Sequence, residues 1–438
     1  RGQNKKGSYK MKFIRKDSDF IKILSNTAWM VFDKVFLLVL SLFVSVKIAN
    51  HYGALGYGSY QYAVSIVAAF EILTTFVDGR VVKKKYLDHD PETVVLTGTM
   101  ARILLSVFIL IYRDGPEFTV IFMLLLINMA LGSIKFGMAN RFEYLMKSKK
   151  VVIASDLAAL TASVLQLVAV QYSWPLTALA LIALTSTLIS FFIIWIQYKA
   201  EFGRLKPELL DKDLLKHMLK ESFPLGIAGS CGVIYTRCDS IMLGAMMTSA
   251  EVGIYSISVS LINIVQIAIA PIRESVFPML LHLYDSDRKQ YAERYIQISS
   301  ILTWVYIAGV AFSFVILPYA FRFLNEEYAQ AFPVYRLHVL GTFFMYNAAL
   351  RAGHFTVINR SSILTWSQIV SVIANVVMNF FMIQVWGMYG AALATVITQA
   401  ASLMFINLFF QKEGREVFMW QVKALNPLCI FRFLKSVR

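Results

Sequence analysis

The chain has 438 residues, of which 58% are hydrophobic and 16% charged, with mean hydropathy +0.61 and a formal net charge of +15. That is far more apolar residue than a soluble core of this size uses, so composition excludes an ordinary soluble enzyme and points to the lipid bilayer. Cys231, Cys238 and Cys429 have neither CxxC spacing nor a metal-type cluster, so no disulfide framework, metal site or cofactor is expected.

The first residues, RGQNKKGSYK, lack the apolar core and cleavage site of a signal peptide and leave Met11 open as a native start. Beyond them, twelve apolar stretches are long enough to cross about 30 Å of hydrocarbon at about 1.5 Å per residue. Six span 23–49, 59–79, 94–112, 119–140, 151–172 and 176–198; six more span 222–247, 252–281, 297–321, 332–354, 362–385 and 388–410. The expected fold is an all-α integral membrane protein with two six-helix bundles, 1–198 and 222–411. A linker at 199–221 and a basic tail at 412–438 complete it.

Lys and Arg set the orientation. The connections on the N-terminal side carry 33 of them and the opposite connections only Arg113 and Arg322, which predicts cytoplasmic N and C termini. The same asymmetry accounts for the net charge as topology plus attraction to anionic lipid, and removes the case for nucleic-acid binding. External connections of about ten residues leave no room for a soluble catalytic domain, so no enzyme is expected. Residues 200–221 read as an amphipathic helix on the inner membrane surface, with Leu209, Leu210, Leu214, Leu215, Met218 and Leu219 on one face. The tail, with Phe418, Trp420, Phe431 and Phe433 among basic residues, is expected on the same surface.

The two halves echo each other. GSYQYAVSI at 58–66 and GIYSISVSL at 253–261 share Gly, Tyr, Val and Ser at matching offsets, and Gln171 and Trp174 match Gln384 and Trp386 more weakly. Parallel repeats about an axis along the membrane normal would place a substrate site between them. Tyrosines enriched at the outer interface explain the first match as well.

Charge within these spans is the main functional signal, because an ionised group at mid-bilayer costs roughly 3 kcal/mol. The hairpin at 221–280 carries Arg237 and Asp239. At about 100° per residue, Gly226, Ser230, Arg237, Ser240 and Gly244 share a small polar face, whereas Tyr235, Asp239, Met242 and Met246 lie opposite. Arg237 is therefore read as the cavity residue that holds an anion through paired hydrogen bonds, against the alternative of a buried structural pair. Lys34 is a second candidate for substrate binding, set against pairing with Asp33 or Glu71. Asp33, Glu71 and Asp239 are the acidic groups near mid-membrane and so the candidates for ion coupling. A proton is preferred over Na⁺ at Asp239, since Tyr235 is its only evident polar neighbour. Lys135 reads as a snorkelling residue, and Asn375 and Asn379 as interhelical hydrogen-bonding groups.

The strings SFPL, IYTRCDSIML, EVGIYSISVSL and SVFPML, all within 222–280, resemble the seventh and eighth helices of bacterial polysaccharide flippases. These are lipid-linked oligosaccharide translocases of the multidrug, oligosaccharidyl-lipid and polysaccharide exporter superfamily. Asn26, Trp29, the G-x-x-x-Y-G-x-Y turn at 53–60 and WGMYGAALAT at 386–395 are similar to that family's first and last helices. The resemblance implies two bundles forming a V around a cavity that opens alternately to each side of the cytoplasmic membrane. It implies a polyprenyl-pyrophosphate-linked oligosaccharide as substrate, with membrane lipids and other polysaccharide-assembly proteins as partners. Two other classes remain: a small-molecule or multidrug exporter, and a membrane polysaccharide polymerase, for which no large external loop exists.

Overall fold

A computed structural model describes the backbone of residues 17–107, 116–205, 210–267, 269–410 and 412–437. Side chains are described for these residues except 17–36, 75, 104–107, 116–119, 228 and 434–437. Among the described residues there is no strand. In the N-terminal half the helices are α1 (Asp17–Phe70), α2 (Ile72–Thr75), α3 (Gly79–Lys85), α4 (Pro91–Val107), α5 (Pro116–Ile134), α6 (Phe136–Tyr144), α7 (Ser148–Gln171) and α8 (Thr177–Phe202). The second half holds α9 (Lys212–Met246), α10 (Ser249–Gln266), α11 (Ile269–Ser286), α12 (Arg288–Ala320), α13 (Ala331–Asn347), α14 (Arg351–Val357) and α15 (Ser362–Leu403). Two tail helices follow, α16 (Lys412–Lys423) and α17 (Leu428–Val437).

Seven described helices are long and apolar enough to cross a membrane. Two carry a pair of crossings each, because α1 turns at Gly53 (φ 71°) and α15 at Gly387 (φ 53°), a backbone region that suits a residue without Cβ. The hairpin in α15 is fixed by its own cross-bond, Asn375 Nδ2 to Thr395 Oγ1 at 3.4 Å.

The two halves are punctuated alike. Left-handed residues separate α6 from α7 (Met146, φ 60°) and α14 from α15 (Asn359, φ 57°), and again mark the next turns at Ser173 (φ 52°) and Gly387. The fourth crossing breaks at Lys135, between α5 and α6, and the tenth breaks between α13 and α14. This shared pattern of breaks extends the short sequence echo over most of each half.

The halves meet closely where α1 crosses α10. A Cβ built on Gly58 would stand 1.7 Å from the Ser249 carbonyl oxygen, and one on Gly253 would stand 2.4 Å from that of Ala54. These repeat-matched glycines let two backbones touch, as small residues do between bilayer helices. Beside the crossing, Asn50 Nδ2 donates to the Phe323 carbonyl at 2.6 Å, Asn325 returns bonds to Asn50 at 3.0 and 2.9 Å, and Tyr328 donates to Ala49 at 3.1 Å.

Both segments at the ends of the halves pack on protein. The segment before the seventh crossing is no separate surface helix: from Lys212 it forms the first turns of α9, with Asp211 capping the amides of Asp213 and Leu214 at 2.9 Å. Its apolar face finds protein, since Leu214 and Met218 bury against Val82, Met138 and Tyr198. Lys85 Nζ reaches Glu221 Oε1 at 2.5 Å, tying α3 to α9. That hydrogen bond, with help from Lys84, holds the Glu221 carboxyl below the usual carboxylate range. The tail likewise packs on protein. Val417 and Trp420 of α16 enter the core of the second half, and Gln421 bonds Asn407 at 2.9 Å and the Leu403 carbonyl at 3.0 Å.

Candidate functional site

Helix α9 is a wall between two polar regions. Arg237 and Asp239, two residues apart, project about 200° from each other and so cannot serve the same one.

On the Arg237 side lies a cavity of about 760 Å³ lined by the second, third, fourth and sixth crossings, α3 and α9. Its wall includes Glu71, Asp78, Arg80, Lys83, Arg102, Asn128, Lys135, Glu143 and Arg237. The acids are matched locally: Asp78 pairs with Arg80 at 2.8 Å and Glu143 with Lys83 at 2.9 Å. Arg102 donates to Thr74 Oγ1 at 3.3 Å, lies 4.3 Å above the Phe136 ring, and interacts electrostatically with Glu71 and Asp78. Lys135 sits at the break of the fourth crossing, where its ammonium donates to Ser190 Oγ at 2.8 Å. Arg237 is half-buried and makes no hydrogen bond or ion pair among the described residues. A guanidinium with five unspent donors in such a cavity suits a phosphate or pyrophosphate held bidentately. Asn128 Oδ1, buried without a partner on the same wall, offers a further polar contact.

On the Asp239 side the carboxylate is only 8% exposed, enclosed by α9, α10, α13 and α15. Tyr255 O–H and Thr395 O–H donate to Oδ2 at 2.6 and 2.7 Å, and Asn379 Nδ2 donates to Oδ1 at 2.7 Å. Asn379 also donates to Asn375 Oδ1 at 3.2 Å, and the His338 ring stacks on Tyr255 with Nδ1 3.5 Å from its oxygen. Among the described residues no cation pairs with Asp239; three hydrogen bonds take the place of water around it.

The structure thus separates the sequence candidates. Arg237 and Glu71 line the cavity, and Glu71 is nowhere near Asp239 among the bonds that hold the latter. Among the described residues Arg237 forms no ion pair with a neighbouring helix. Tyr235 is not the sole polar neighbour of Asp239, so the oxygen-poor environment that favoured a proton over Na⁺ is absent. The side chains of Asp33 and Lys34 lie outside the described residues. Arg102 was missed although an arginine in the middle of an apolar span is a readable signal. Tyr255 and Thr395 were missed because lone hydroxyls in apolar helices carry none until their partners are known; His338, read as either a proton carrier or an ordinary interfacial histidine, stacks on Tyr255. Lys135, expected to snorkel, lines the cavity.

A family model described as polysaccharide biosynthesis protein matches residues 23–284, more than half of the chain. The chain belongs to this family. No curated protein matches its sequence. Among solved structures, this polysaccharide biosynthesis family member resembles an inward-facing multidrug resistance MATE family transporter of the MOP superfamily. The TM-score is 0.66 at 13% identity, over 92% of this chain and 96% of that one. It is also similar to the lipid II flippase MurJ in an inward closed conformation, with TM-score 0.63 at 13% identity over 93% and 97% of the chains. An outward-facing MATE family transporter scores 0.56 at 12% identity over 90% and 95%. At such identities the likeness establishes the multi-pass membrane fold alone and no substrate.

Proposed function

We propose that this family member is a flippase that moves a polyprenyl-pyrophosphate-linked oligosaccharide across the bacterial cytoplasmic membrane, by alternating access, for cell-surface polysaccharide synthesis. The observation that carries this reading is the Arg237 guanidinium, unpaired among the described residues, in a cavity that also holds Arg102 and Lys135. Pyrophosphate is the anionic part of such a substrate, and a cavity of about 760 Å³ has room for it together with the first sugars. Lys34, on the first crossing, is assigned to the same anion. The prenyl chain would stay in lipid, so only the polar head needs the protein.

Energy coupling is assigned to Asp239, with Asp33 and Glu71 as the other candidate carboxylates. A carboxylate that exchanges its ring of donors for a proton or a monovalent cation changes the packing of α9 against α15, and α9 also forms the cavity wall. Lysine and arginine placement orients both termini to the cytoplasm.

The test is deletion of the gene with analysis of lipid-linked sugars, followed by complementation. Accumulated precursor that wild-type protein clears, Arg237→Lys clears partly and Arg237→Ala does not clear is the expected series. Full clearance by both variants would remove Arg237 from the site. The likeness to multidrug transporters favours a small-molecule exporter as second reading; unchanged lipid-linked sugars with increased sensitivity to cationic drugs would select it.

A further inference from the structure

One end of α15, where its first arm begins and its second arm finishes, carries hollows that the transport cavity does not use. Between the arms runs an apolar groove of about 490 Å³, floored by Ala374, Thr398 and Ala401 and walled by Trp366, Phe405 and Phe409. Among the described residues no charged side chain lines it. Trp366, Phe409 and Phe410 also border a second hollow of about 320 Å³, which adds Arg360, Ser362 and Glu413. A third, of about 580 Å³, lies along α16 between Lys412, Arg415 and Lys423.

The three are joined through named contacts. Arg360 meets Glu413 of α16 at 3.5 Å, and Arg415 Nε donates to the Leu408 carbonyl at 3.5 Å, one residue from Phe409. Arg360 and Arg415 therefore bracket the aromatic end of the groove. At this mouth stands Arg360 against Glu413, with Lys412 and Arg415 beside it at the start of α16, a net positive patch. The 3.5 Å ion pair is long and half-exposed, which leaves the Arg360 fork free to turn toward a stronger acceptor. The platform beneath is fixed, because Val417, Trp420 and Gln421 hold α16 against the second half.

We propose that this surface binds one anionic phospholipid, with an acyl chain in the α15 groove and the headgroup phosphate between Arg360 and Arg415. An apolar trough ending in a basic mouth, on a helix pair that crosses the bilayer and at the end where the basic connections lie, matches such a molecule in both polarity and orientation. A zwitterionic lipid would satisfy the trough and gain nothing from the mouth. A soluble protein partner cannot reach a groove that runs along the crossing itself. This site is separate from the cavity that contains Arg237, so it stands or falls without the flippase reading.

Full-length protein reconstituted with lipids brominated on the acyl chain tests it. The Trp366 fluorescence component is obtained by subtracting the spectrum of Trp366→Phe. Phosphatidylglycerol is expected to quench that component at about fivefold lower mole fraction than phosphatidylcholine, and the paired change Arg360→Gln with Arg415→Gln to erase the difference. Equal quenching by the two lipids in wild type, or a preference that survives the paired change, overturns the proposal. If that variant does not fold, Ala374→Phe carries the test: it keeps the cations and fills the trough, so quenching of Trp366 by the anionic lipid is expected to fall to the level of phosphatidylcholine. Unaltered quenching would overturn the proposal equally.

Discussion

The cavity around Arg237 and the cluster around Asp239 share one helix and treat charge in opposite ways. Arg237 faces space with no partner among the described residues, while Asp239 spends its acceptor capacity on Tyr255, Asn379 and Thr395. A group held by the fold contributes to stability, and a group left unspent is available to a ligand. The two residues should therefore fail differently when changed, one in folding and the other in transport.

The largest effect is expected where the enclosure of Asp239 is broken. Asn379→Leu leaves a buried carboxylate short of a donor and is expected to destabilise the protein by about 3 kcal/mol, read as thermal or denaturant unfolding in detergent. Adding Asp239→Leu to that variant removes the buried charge but leaves the Tyr255 and Thr395 hydroxyls without their acceptor, so the double variant should lose less than the sum of the two single losses; strict additivity would show that Asn379 and Asp239 do not interact. Tyr255→Phe removes one of three donors and should cost less, about 1 to 2 kcal/mol.

Arg237→Ala sharpens the contrast. Its unfolding should stay within about 0.5 kcal/mol of wild type while clearance of lipid-linked sugars collapses. Destabilisation comparable to that of Asn379→Leu would mean that Arg237 is a structural group after all. Lys135→Met sits between the two, because its ammonium both lines the cavity and bonds Ser190; a loss of about 1 kcal/mol with partial loss of clearance is expected.

The smallest effect is expected at the clasp between α3 and α9. The Glu221 carboxyl titrates lower in the folded state than its ordinary value of 4.5, so the clasp is fully present above that value and lost as pH falls through the folded-state value. Hydrogen exchange of α3 amides should be unchanged from pH 8 to pH 6 and should quicken only once the pH is below 4.5, with salt weakening the same contact. Quickening between pH 8 and pH 6 would assign the contact to some other group.

Periodicity and composition made the helical crossings legible, since a bilayer permits few alternatives to a helix and each crossing needs a length that can be counted. The facing of Arg237 was legible as well, because helix geometry alone separates it from Asp239. The partners of Asp239 were not. Tyr255 is 16 residues away, Asn379 140 and Thr395 156, and a hydroxyl or amide in an apolar run says nothing about which distant group it meets. The start of α9 was misread for a related reason: Leu214 and Met218 form an apolar face that fits lipid or protein equally well, and only the presence of Val82, Met138 and Tyr198 decides between them.

The bare contact between Gly58 and Gly253 makes a fulcrum. With no side chain on either glycine the two backbones meet directly, and the halves would pivot there, much as two rods pivot on a pin. The crossing lies just past the turn of α1 at Gly53 and near the start of α10, so the lever arm to the opposite face is close to the full bilayer thickness. On an arm of about 30 Å, a tilt of about 15° displaces the far end by roughly 8 Å, more than the width of a sugar ring. A methyl group at either glycine would jam the pin and separate the rods, and the loss would be one of motion at every point along both arms.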